Sequence, residues 1–322
     1  MQQSIFTCRY LFQGGTLSTA VWLRLPLHQY SFSKSLRRLI NRNAKKFDVS
    51  ISRYQNTPEK ERLYQRYKSN FQGRLSDSLY ESLGLDREVS IFQSLQTEVR
   101  YDGKLVAFSV FDTGSRSLQS ICGIYEPSLS KYSLGLYTML LEVKYGVENG
   151  MEYFYPGYIA PGRTVFDYKL RTRGTEYFEP ADMNWYPIAQ LDREDLPSES
   201  MIRKLKKLQE YLSALRIDNQ LYIYPPYQVV ASDKRMGSYL ATPLYVECIP
   251  FFPSRESLFV YWDVISNSYV AGRYIAIRDL EERFFVEPSA DIRQSFTLYR
   301  IINAYFESDS LDEIIEYVSE FC

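Results

Sequence analysis

The segment TEVRYDGKLVAFSVFDT, residues 97–113, constrains the fold more than any other part of this sequence. Two alternating apolar runs flank Asp102-Gly103, a dipeptide that favours a two-residue hairpin turn. SLQSICGIYEP, residues 117–127, predicts a third strand that ends at its proline. Residues 133–150 then predict a helix with a serine cap at its start and a glycine at its end, and the strand MEYFYPGYI follows. An antiparallel unit that continues into a helix and a further strand indicates a mixed sheet.

Two strands and two helices are predicted before this hairpin. Strands are predicted over residues 4–12 and 18–27, around the turn QGG. A helix begins after Ser33, and a second helix covers 58–71, where Thr57 and a proline suit its first turn. The order strand, helix, helix, hairpin, strand, helix, strand is that of a GNAT-type acyltransferase. We therefore predict an α+β (mixed α/β) protein: a GNAT-like acyltransferase core with a C-terminal α+β extension.

The C-terminal part has its own set of elements. A helix is predicted at 197–217, followed by strands near 219–224, 243–250, 257–264 and 269–276 and by helices near 289–306 and 309–321. The polar, acidic and proline-bearing stretch AQLDREDLPSES is the expected boundary. The predicted domains are 1–188, the GNAT-like core, and 189–322, an extension of unknown role.

The content of histidine and cysteine excludes several classes of site. The chain has 1 histidine, His28, so a multi-histidine metal site cannot form and a Ser–His–Asp triad could use only that residue. The 4 cysteines, Cys8, Cys122, Cys248 and Cys322, are far apart in the chain, which argues against a zinc site and a disulfide framework. Without an apolar run of about 18 residues, no membrane span is expected. We expect no metal and a soluble, cytoplasmic protein.

Positive charge is concentrated on the first predicted helix, SFSKSLRRLINRN, although the whole chain is balanced, with 38 Lys and Arg against 39 Asp and Glu. Basic residues recur along one side of the helix, at Lys34, Arg38, Arg42 and Lys45, with Arg37 and Lys46 beside them. Like charges at this spacing repel by a few tenths of a kcal/mol per pair, whereas a phosphate backbone would make them favourable. Two interpretations stay open: a solvated face answered by acidic residues elsewhere, and a binding site for a polyanion.

A second cluster, residues 155–180, mixes cations with aromatic rings. Its basic residues are Arg163, Lys169, Arg171 and Arg173, and its aromatic residues include Phe166, Tyr168 and Tyr177. This mixture suits a single-stranded nucleic-acid end, because bases stack while phosphates pair. The alternative is an irregular connection with surface charges. The turn LSKYSLGLYT has a single glycine, so it makes a poor cradle for the pyrophosphate of coenzyme A, and another acyl donor is expected.

Asp112 is at the end of the second strand of the hairpin and is the strongest candidate for a carboxylate with a chemical role. It can hold an ammonium or take a proton, and it can equally cap the turn that follows. Cys122 lies within an apolar strand and is interpreted as a small core residue.

Two blocks of this sequence resemble the arginyl-tRNA–protein transferases and their leucyl-transferring bacterial relatives. The first block comprises YSFSKSLRRLINRN and the Leu-Tyr-x-x-Tyr helix at Leu63, Tyr64 and Tyr67. The second block comprises DGKLVAFSVFD, Tyr125-Glu126-Pro127, SLGLY from Ser133, YFYPGY, and the Tyr168-Lys169 pair with Arg173 and Glu176 beyond it. Together they cover about the first 180 residues. The family's N-terminal cysteine cluster has no counterpart other than Cys8.

The resemblance implies an aminoacyltransferase that needs no cofactor and uses aminoacyl-tRNA as co-substrate. Its reaction would move arginine, or leucine, to the α-amine of proteins that begin with Asp or Glu, the arginylation reaction of N-degrons. The implied roles are tRNA binding by Lys34, Arg37, Arg38, Arg42 and Lys45, catalysis by Asp112, Tyr158 and Lys169, and acceptor binding by Arg163, Tyr168, Arg173 and Glu176. The alternatives are a GNAT-type N-acyltransferase with coenzyme A or another donor, and a catalytically silent tRNA-binding homologue.

Overall fold

The computed structural model describes residues 10–13, 16–71, 75–84, 93–162, 164–180, 182–232, 236–248, 256–280 and 292–321. The chain divides into two compact units. One unit is residues 21–191, and the other joins the residues up to Ala20 with those from Asp192 onward. The division into domains 1–188 and 189–322 stays a prediction.

Helices and sheets are both extensive, which confirms the α+β class. The strands are β1 (Tyr10–Gln13), β2 (Thr16–Thr19), β3 (Val21–Pro26), β4 (Asp48–Arg53), β5 (Gln93–Tyr101), β6 (Lys104–Thr113), β7 (Ser117–Tyr125), β8 (Tyr153–Ile159), β9 (Glu176–Glu179), β10 (Asn184–Pro187), β11 (Asn219–Ile223), β12 (Leu244–Cys248), β13 (Glu256–Asp263), β14 (Ser268–Asp279), β15 (Arg293–Gln294) and β16 (Thr297–Ser308). The α-helices are α1 (Lys34–Ala44), α2 (Pro58–Ser69), α3 (Leu79–Ser82), α4 (Leu134–Glu148), α5 (Pro197–Ala214), α6 (Tyr227–Ser232) and α7 (Leu311–Ser319).

An eight-stranded mixed sheet forms the centre of the unit 21–191. Its strand order is β10-β9-β3-β8-β7-β6-β5-β4. The neighbours pair antiparallel except β7 and β8, which are parallel and are connected through α4. This is the mixed sheet predicted for the GNAT-like core. The edge strand β4 was not predicted, although Val49 and Ile51 alternate with polar residues in its sequence DVSISR; all six of its residues are exposed in the structure.

Local signals place the hairpin and the first two helices where they were predicted. Asp102 and Gly103 take φ values of 49° and 75°, the left-handed region that a tight hairpin turn needs. The Ser33 hydroxyl accepts a hydrogen bond from the backbone N–H of Leu36 at 3.4 Å and starts α1. Thr57 does the same for α2 through the N–H of Lys60 at 3.4 Å.

Helix α4 is buried along most of its length against the sheet. Its apolar side chains pack with residues of the central strands, including Phe111, Leu118 and Phe154. The helix approaches so closely at Gly146 that a Cβ atom there would lie 2.6 Å from Leu118 and 2.7 Å from Leu27. The position of α4 relative to β7 and β3 is therefore closely determined by packing.

The other unit contains a six-stranded sheet in the order β15-β11-β12-β13-β14-β16. Helices α5 and α7 pack on it through a core that includes Leu205, Leu208 and Ile314. The Thr19 hydroxyl and backbone N–H both donate to the Ser198 hydroxyl oxygen, at 2.9 and 3.1 Å, and so tie β2 to the start of α5. The predicted strand over 18–27 is therefore two strands, because β2 pairs with β1 while β3 joins the larger sheet.

The helix predicted near 289–306 is wrong over its described part. Residues 297–308 form β16, which pairs antiparallel with β14 from Thr297 to Ser308. The segment TLYRIINAYFES is rich in β-branched and aromatic residues, and a partner strand of equal length decides its conformation. Residues 289–291 lie outside the described residues, as do 4–9 of the first predicted strand. The other strands predicted after residue 217 and the last helix are confirmed.

Candidate active site

Lys169 is held in an aromatic environment beside β8. It lies on the 3-10 helix Thr164–Arg171, and its Nζ donates a hydrogen bond to the Tyr158 carbonyl oxygen at 2.8 Å. The same Nζ lies 5.4 Å from the ring centre of Tyr158 and 5.2 Å from that of Phe166. Burial lowers the pKa of Lys169 to about 8, so the amine exchanges its proton close to neutral pH.

Close to this lysine, the two parallel strands of the sheet separate. β7 and β8 pair only from Ser117 to Gln119 and from Tyr153 to Tyr155. Both strands are fully described, and beyond these residues they continue to Tyr125 and Ile159 without pairing with each other. We call the space between the unpaired parts of β7 and β8 the strand gap. Tyr158 belongs to the unpaired part of β8, so Lys169 is tied to one wall of the gap.

Glu142, on α4, is a buried carboxyl group beside the strand gap. Its side chain is 0% exposed, and neither Oε atom accepts a hydrogen bond of ordinary geometry from a described residue. Burial raises the pKa of Glu142 to about 8, and the facing hydroxyls of Ser109 and Ser120 counter part of that shift. At neutral pH most of this carboxyl is protonated. A buried acid with such a pKa is typical of functional sites.

Sequence reasoning missed Glu142, although a signal was present. The helix reads MLLEV at residues 139–143, with one acid inside a run of apolar residues on the side that packs against the sheet. Glutamate is almost never fully buried without a partner.

Tyr168 extends from solvent toward Glu142. The whole residue is 38% exposed, but its phenol is buried within electrostatic reach of Glu142, Cys122 and Tyr67, and this burial raises its pKa. Burial also raises the pKa of the Cys122 thiol to about 12, so this group stays protonated and a poor nucleophile. The structure thus brings the predicted residues Tyr158, Tyr168 and Lys169 to the strand gap and adds Glu142.

Asp112 lies in the same sheet, level with the point where the gap opens. On β6 it is paired with Ser94 of β5 and Gln119 of β7, and Gln119 is the last residue of β7 that pairs with β8. The Ser94 hydroxyl donates to Asp112 Oδ1 at 2.5 Å, and burial raises the pKa of this carboxyl. Its side chain is bonded to the neighbouring strand, and its catalytic role stays a prediction.

The predicted acceptor-binding residues do not form one group in the described structure. Glu176 accepts a hydrogen bond from Arg24 Nε at 2.6 Å, and the Arg24 guanidinium lies 4.5 Å from the ring centres of both Tyr153 and Trp185. Arg173 is exposed in the turn before β9. Arg163 lies outside the described residues. The acceptor roles of these residues stay predictions.

The basic side chains of α1 are exposed and carry no ion pair. Lys34, Arg37, Arg38, Arg42 and Lys45 are all exposed, and no described acidic residue pairs with any of them. We call these five residues the basic face. Asn43 Nδ2 donates to the Tyr132 carbonyl oxygen at 2.9 Å, which ties the end of α1 to the turn before α4. No described acidic residue contacts this face, and both interpretations of it, a solvated surface and a polyanion-binding site, stay open.

The described structure also limits the roles of histidine, of metal ligands and of membrane-spanning helices. His28, the sole histidine of the sequence, is exposed in the turn after β3. Across the described ranges, no group of three or more His, Cys, Asp or Glu is placed to hold a metal ion. None of the described helices is long and apolar enough to cross a membrane. Proton transfer at the gap would therefore use groups other than histidine.

Residues 53–179 match the family "Arginine-tRNA-protein transferase, C terminus". Over these residues the chain is similar to the arginine-tRNA-protein transferase family. The matched segment contains Asp112, Glu142, Tyr158 and Lys169, whereas the basic face precedes it. The model that matches is thus one of the same family that the sequence resembles.

Curated relatives give the same result. The chain is 31% identical over 175 residues to an aspartate/glutamate leucyltransferase of Leptospira interrogans, a match that covers 53% of this chain and 65% of the relative. It is 26% identical over 166 residues to arginyl-tRNA–protein transferase 1 of Arabidopsis thaliana, covering 45% of this chain and 26% of the relative. The chain thus spans about two thirds of the bacterial relative and about a quarter of the plant relative.

Solved structures that align with this chain have low sequence identity and low TM-scores. A GCN5-related N-acetyltransferase from Anabaena variabilis aligns with a TM-score of 0.36 and 10% identity, over 77% of this chain and 54% of that one. The C-terminal domain of a lysylphosphatidylglycerol synthetase from Agrobacterium fabrum aligns with a TM-score of 0.35 and 13% identity, over 43% of this chain and 46% of that one.

Proposed function

We propose that this protein is a cytoplasmic aminoacyl-tRNA–protein transferase that moves arginine, or leucine, from charged tRNA to the N-terminal α-amine of proteins beginning with Asp or Glu. The observation that carries the proposal is the strand gap, inside the family segment, with Lys169 and Glu142 both titrating at a pKa of about 8. The names of the relatives support the reaction class and both donors.

The chemistry fits the groups that line the gap. An aminoacyl ester is already activated, so its transfer to an amine needs alignment and proton transfer and no covalent intermediate on the protein. The Cys122 thiol, whose pKa burial raises to about 12, is not an available nucleophile. An α-amine with a pKa of about 8 must lose a proton before it attacks, and a group that titrates near neutral pH can accept that proton.

The basic face would bind the acceptor end of the tRNA. Its five cations, none of which forms an ion pair with a described residue, lie along α1 and at its C-cap, which suits a row of phosphates. Tyr158 and Tyr168 would line the path to the gap, and Lys169 would stand beside the reacting ester. Asp112, next to the opening of the gap, would contact the cation of the transferred residue or the attacking ammonium.

Recognition of an acidic acceptor needs a cation. Arg173 is exposed and forms no ion pair with a described residue, so its guanidinium is available for the first side chain of the acceptor. Arg163 has the same role in this proposal.

The test is transfer of radiolabelled arginine, and separately leucine, from charged tRNA to peptides that begin with Asp, Glu or Ala. Incorporation into the acidic peptides alone would support the proposal and identify the donor. Binding of tRNA without any incorporation would instead indicate a silent tRNA-binding homologue. Acylation with acetyl-coenzyme A and none with charged tRNA would replace the proposal by a GNAT-type N-acyltransferase.

A further inference from the structure

The Glu142 carboxyl is unusual because it is fully buried and has no electrostatic counterpart. Two hydroxyls face it, from Ser109 on β6 and Ser120 on β7, and the titratable groups within reach are the Cys122 thiol and the Tyr168 phenol. No lysine or arginine of the described chain lies close enough to lower its pKa. A buried carboxylate without a counter-ion is costly, so in the empty protein the group keeps its proton.

The position of this carboxyl is determined by a rigid part of the unit. α4 packs closely on the sheet around Gly146, and Thr138, one turn before Glu142, is itself buried. The Ser120 and Cys122 side chains belong to the part of β7 that no longer pairs with β8. Glu142 therefore faces the separation of the two strands from the helix side, while Tyr168 reaches toward it from the solvent side.

We propose that Glu142 accepts the proton of the attacking α-amine, and that the amine reaches it by displacing the Tyr168 side chain. This inference rests on the proposed function and deepens it. The acceptor nitrogen arrives as an ammonium, which is the counter-ion that the carboxyl lacks. An organic cation entering the gap lowers the proton affinity of Glu142 and turns it into a base only when the substrate is present.

The step is balanced without a further reactant. Binding of the ammonium first releases the resident Glu142 proton to solvent; the ammonium then gives one proton to the carboxylate, and the neutral nitrogen attacks the ester carbonyl carbon. The new C–N bond forms, the bond from the carbonyl carbon to the ribose oxygen breaks, and the leaving oxygen takes a proton. The nitrogen thus loses two of its three ammonium hydrogens, one to Glu142 and one to the leaving oxygen of the tRNA, and Glu142 ends protonated as it began. Once the proton has moved, both partners are neutral and the carboxyl is again in the buried environment that raises its pKa to about 8, close to that of an α-amine, so the transfer has a small cost in free energy.

The primary test compares Glu142→Gln with Glu148→Gln in the full chain. Both changes remove one carboxyl from α4, but Glu148 is exposed and lies on its last turn. We expect Glu142→Gln to lower kcat/KM for an Asp-initiated peptide by about 100-fold or more with unchanged tRNA binding, and Glu148→Gln to change neither. A loss of less than threefold in Glu142→Gln would overturn the inference.

A second acceptor separates proton transfer from a structural effect. In an α-hydrazino analogue of the peptide the attacking nitrogen is already neutral at pH 7. Glu142→Gln should therefore transfer to this analogue at a rate within a few-fold of the wild-type protein. An equal loss with both acceptors would show that Glu142 only supports the structure.

A spectroscopic measurement does not depend on transfer. The infrared band of a protonated carboxyl, assigned with Glu142→Gln and Glu142→Asp, should disappear when the Asp-initiated peptide is added at pH 7. Persistence of that band with peptide bound would contradict the inference. Because this readout is independent of transfer, it distinguishes a failure of the inference from a failure of the proposed function.

Discussion

The amine of Lys169 is bonded to the backbone of Tyr158, with Nζ 2.8 Å from the carbonyl oxygen. The contact joins the 3-10 helix Thr164–Arg171 to the unpaired part of β8 and keeps the cation between two aromatic rings. Gly157 takes a φ of 89° beside it, and a Cβ there would lie 3.3 Å from the same Nζ. The position of the amine thus depends on this backbone as well as on its own side chain.

Lys169→Met should lower transfer by about 100-fold while tRNA binding and stability at pH 7 are retained. The methionine keeps most of the apolar contacts, and removal of a desolvated cation offsets the loss of one hydrogen bond, about 1 kcal/mol.

The same variant should change how stability depends on pH. Burial lowers the pKa of Lys169 in the folded state to about 8. Between pH 8 and 10.5 the unfolded chain therefore binds more protons than the folded one, and the stability of the wild-type protein rises with pH. Urea denaturation across this window should show the gain in the wild type and its absence in the variant, with Lys144→Met, an exposed lysine of α4, behaving as wild type.

Glu142→Gln should change how stability depends on pH. Because burial raises the pKa of this carboxyl to about 8 from 4.5, the folded state retains a proton that the unfolded chain has lost, and stability falls as pH rises through this window. The glutamine variant has no carboxyl to titrate and does not lose this stability. The difference between its free energy of unfolding and that of the wild type should therefore increase by on the order of 4 kcal/mol between pH 5 and 8. Urea denaturation at several pH values measures the difference. Parallel curves for the two proteins would show that Glu142 does not titrate in this range.

Charge reversal on the basic face should weaken tRNA binding. Arg37→Glu combined with Arg38→Glu should raise Kd at least tenfold and reduce the slope of log K against log salt by about 2, since each lost phosphate contact removes about one unit. The control is Lys206→Glu with Lys207→Glu, which makes the same charge change on exposed positions of α5. Unaltered binding in the α1 variant would make the basic face a solvated surface, and equal losses in both variants would indicate only non-specific attraction.

Glu176→Gln should affect stability more than transfer. The side chains of Arg24 and Glu176 are only 19% and 25% exposed, and the arginine is stacked between two rings. Loss of this charge-assisted hydrogen bond should cost about 1–2 kcal/mol. The matched change Glu152→Gln breaks the pair with Arg116, whose side chains are 73% and 41% exposed, and should cost less than about 0.5 kcal/mol. Thermal denaturation compares them, and a loss of transfer in Glu176→Gln without loss of stability would instead favour its predicted role in acceptor binding.

Much of the fold could be predicted because its signals are local. The caps at Ser33 and Thr57, the turn at Asp102-Gly103 and the alternation in β6 depend on residues within a few positions of one another. The family resemblance likewise indicated which residues to consider, and three of them, Tyr158, Tyr168 and Lys169, meet at the strand gap.

The sequence alone did not indicate which segments would find partners far away in the chain. β16 is a strand because β14 lies beside it, and the predicted helix over the same residues used only its local pattern. The Arg24–Glu176 pair joins residues 152 positions apart, and no rule based on sequence spacing could have shown that Glu176 accepts a hydrogen bond from Arg24.

The sequence by itself determined α1, α2, α4, the hairpin and most of the candidate groups, since these follow from short-range backbone and periodicity rules. Only the tertiary structure decided the chemistry of the site. The proton affinity of Glu142 and Lys169 depends on how much water and counter-charge surround them, and that is set by α4 and the 3-10 helix meeting where β7 and β8 separate.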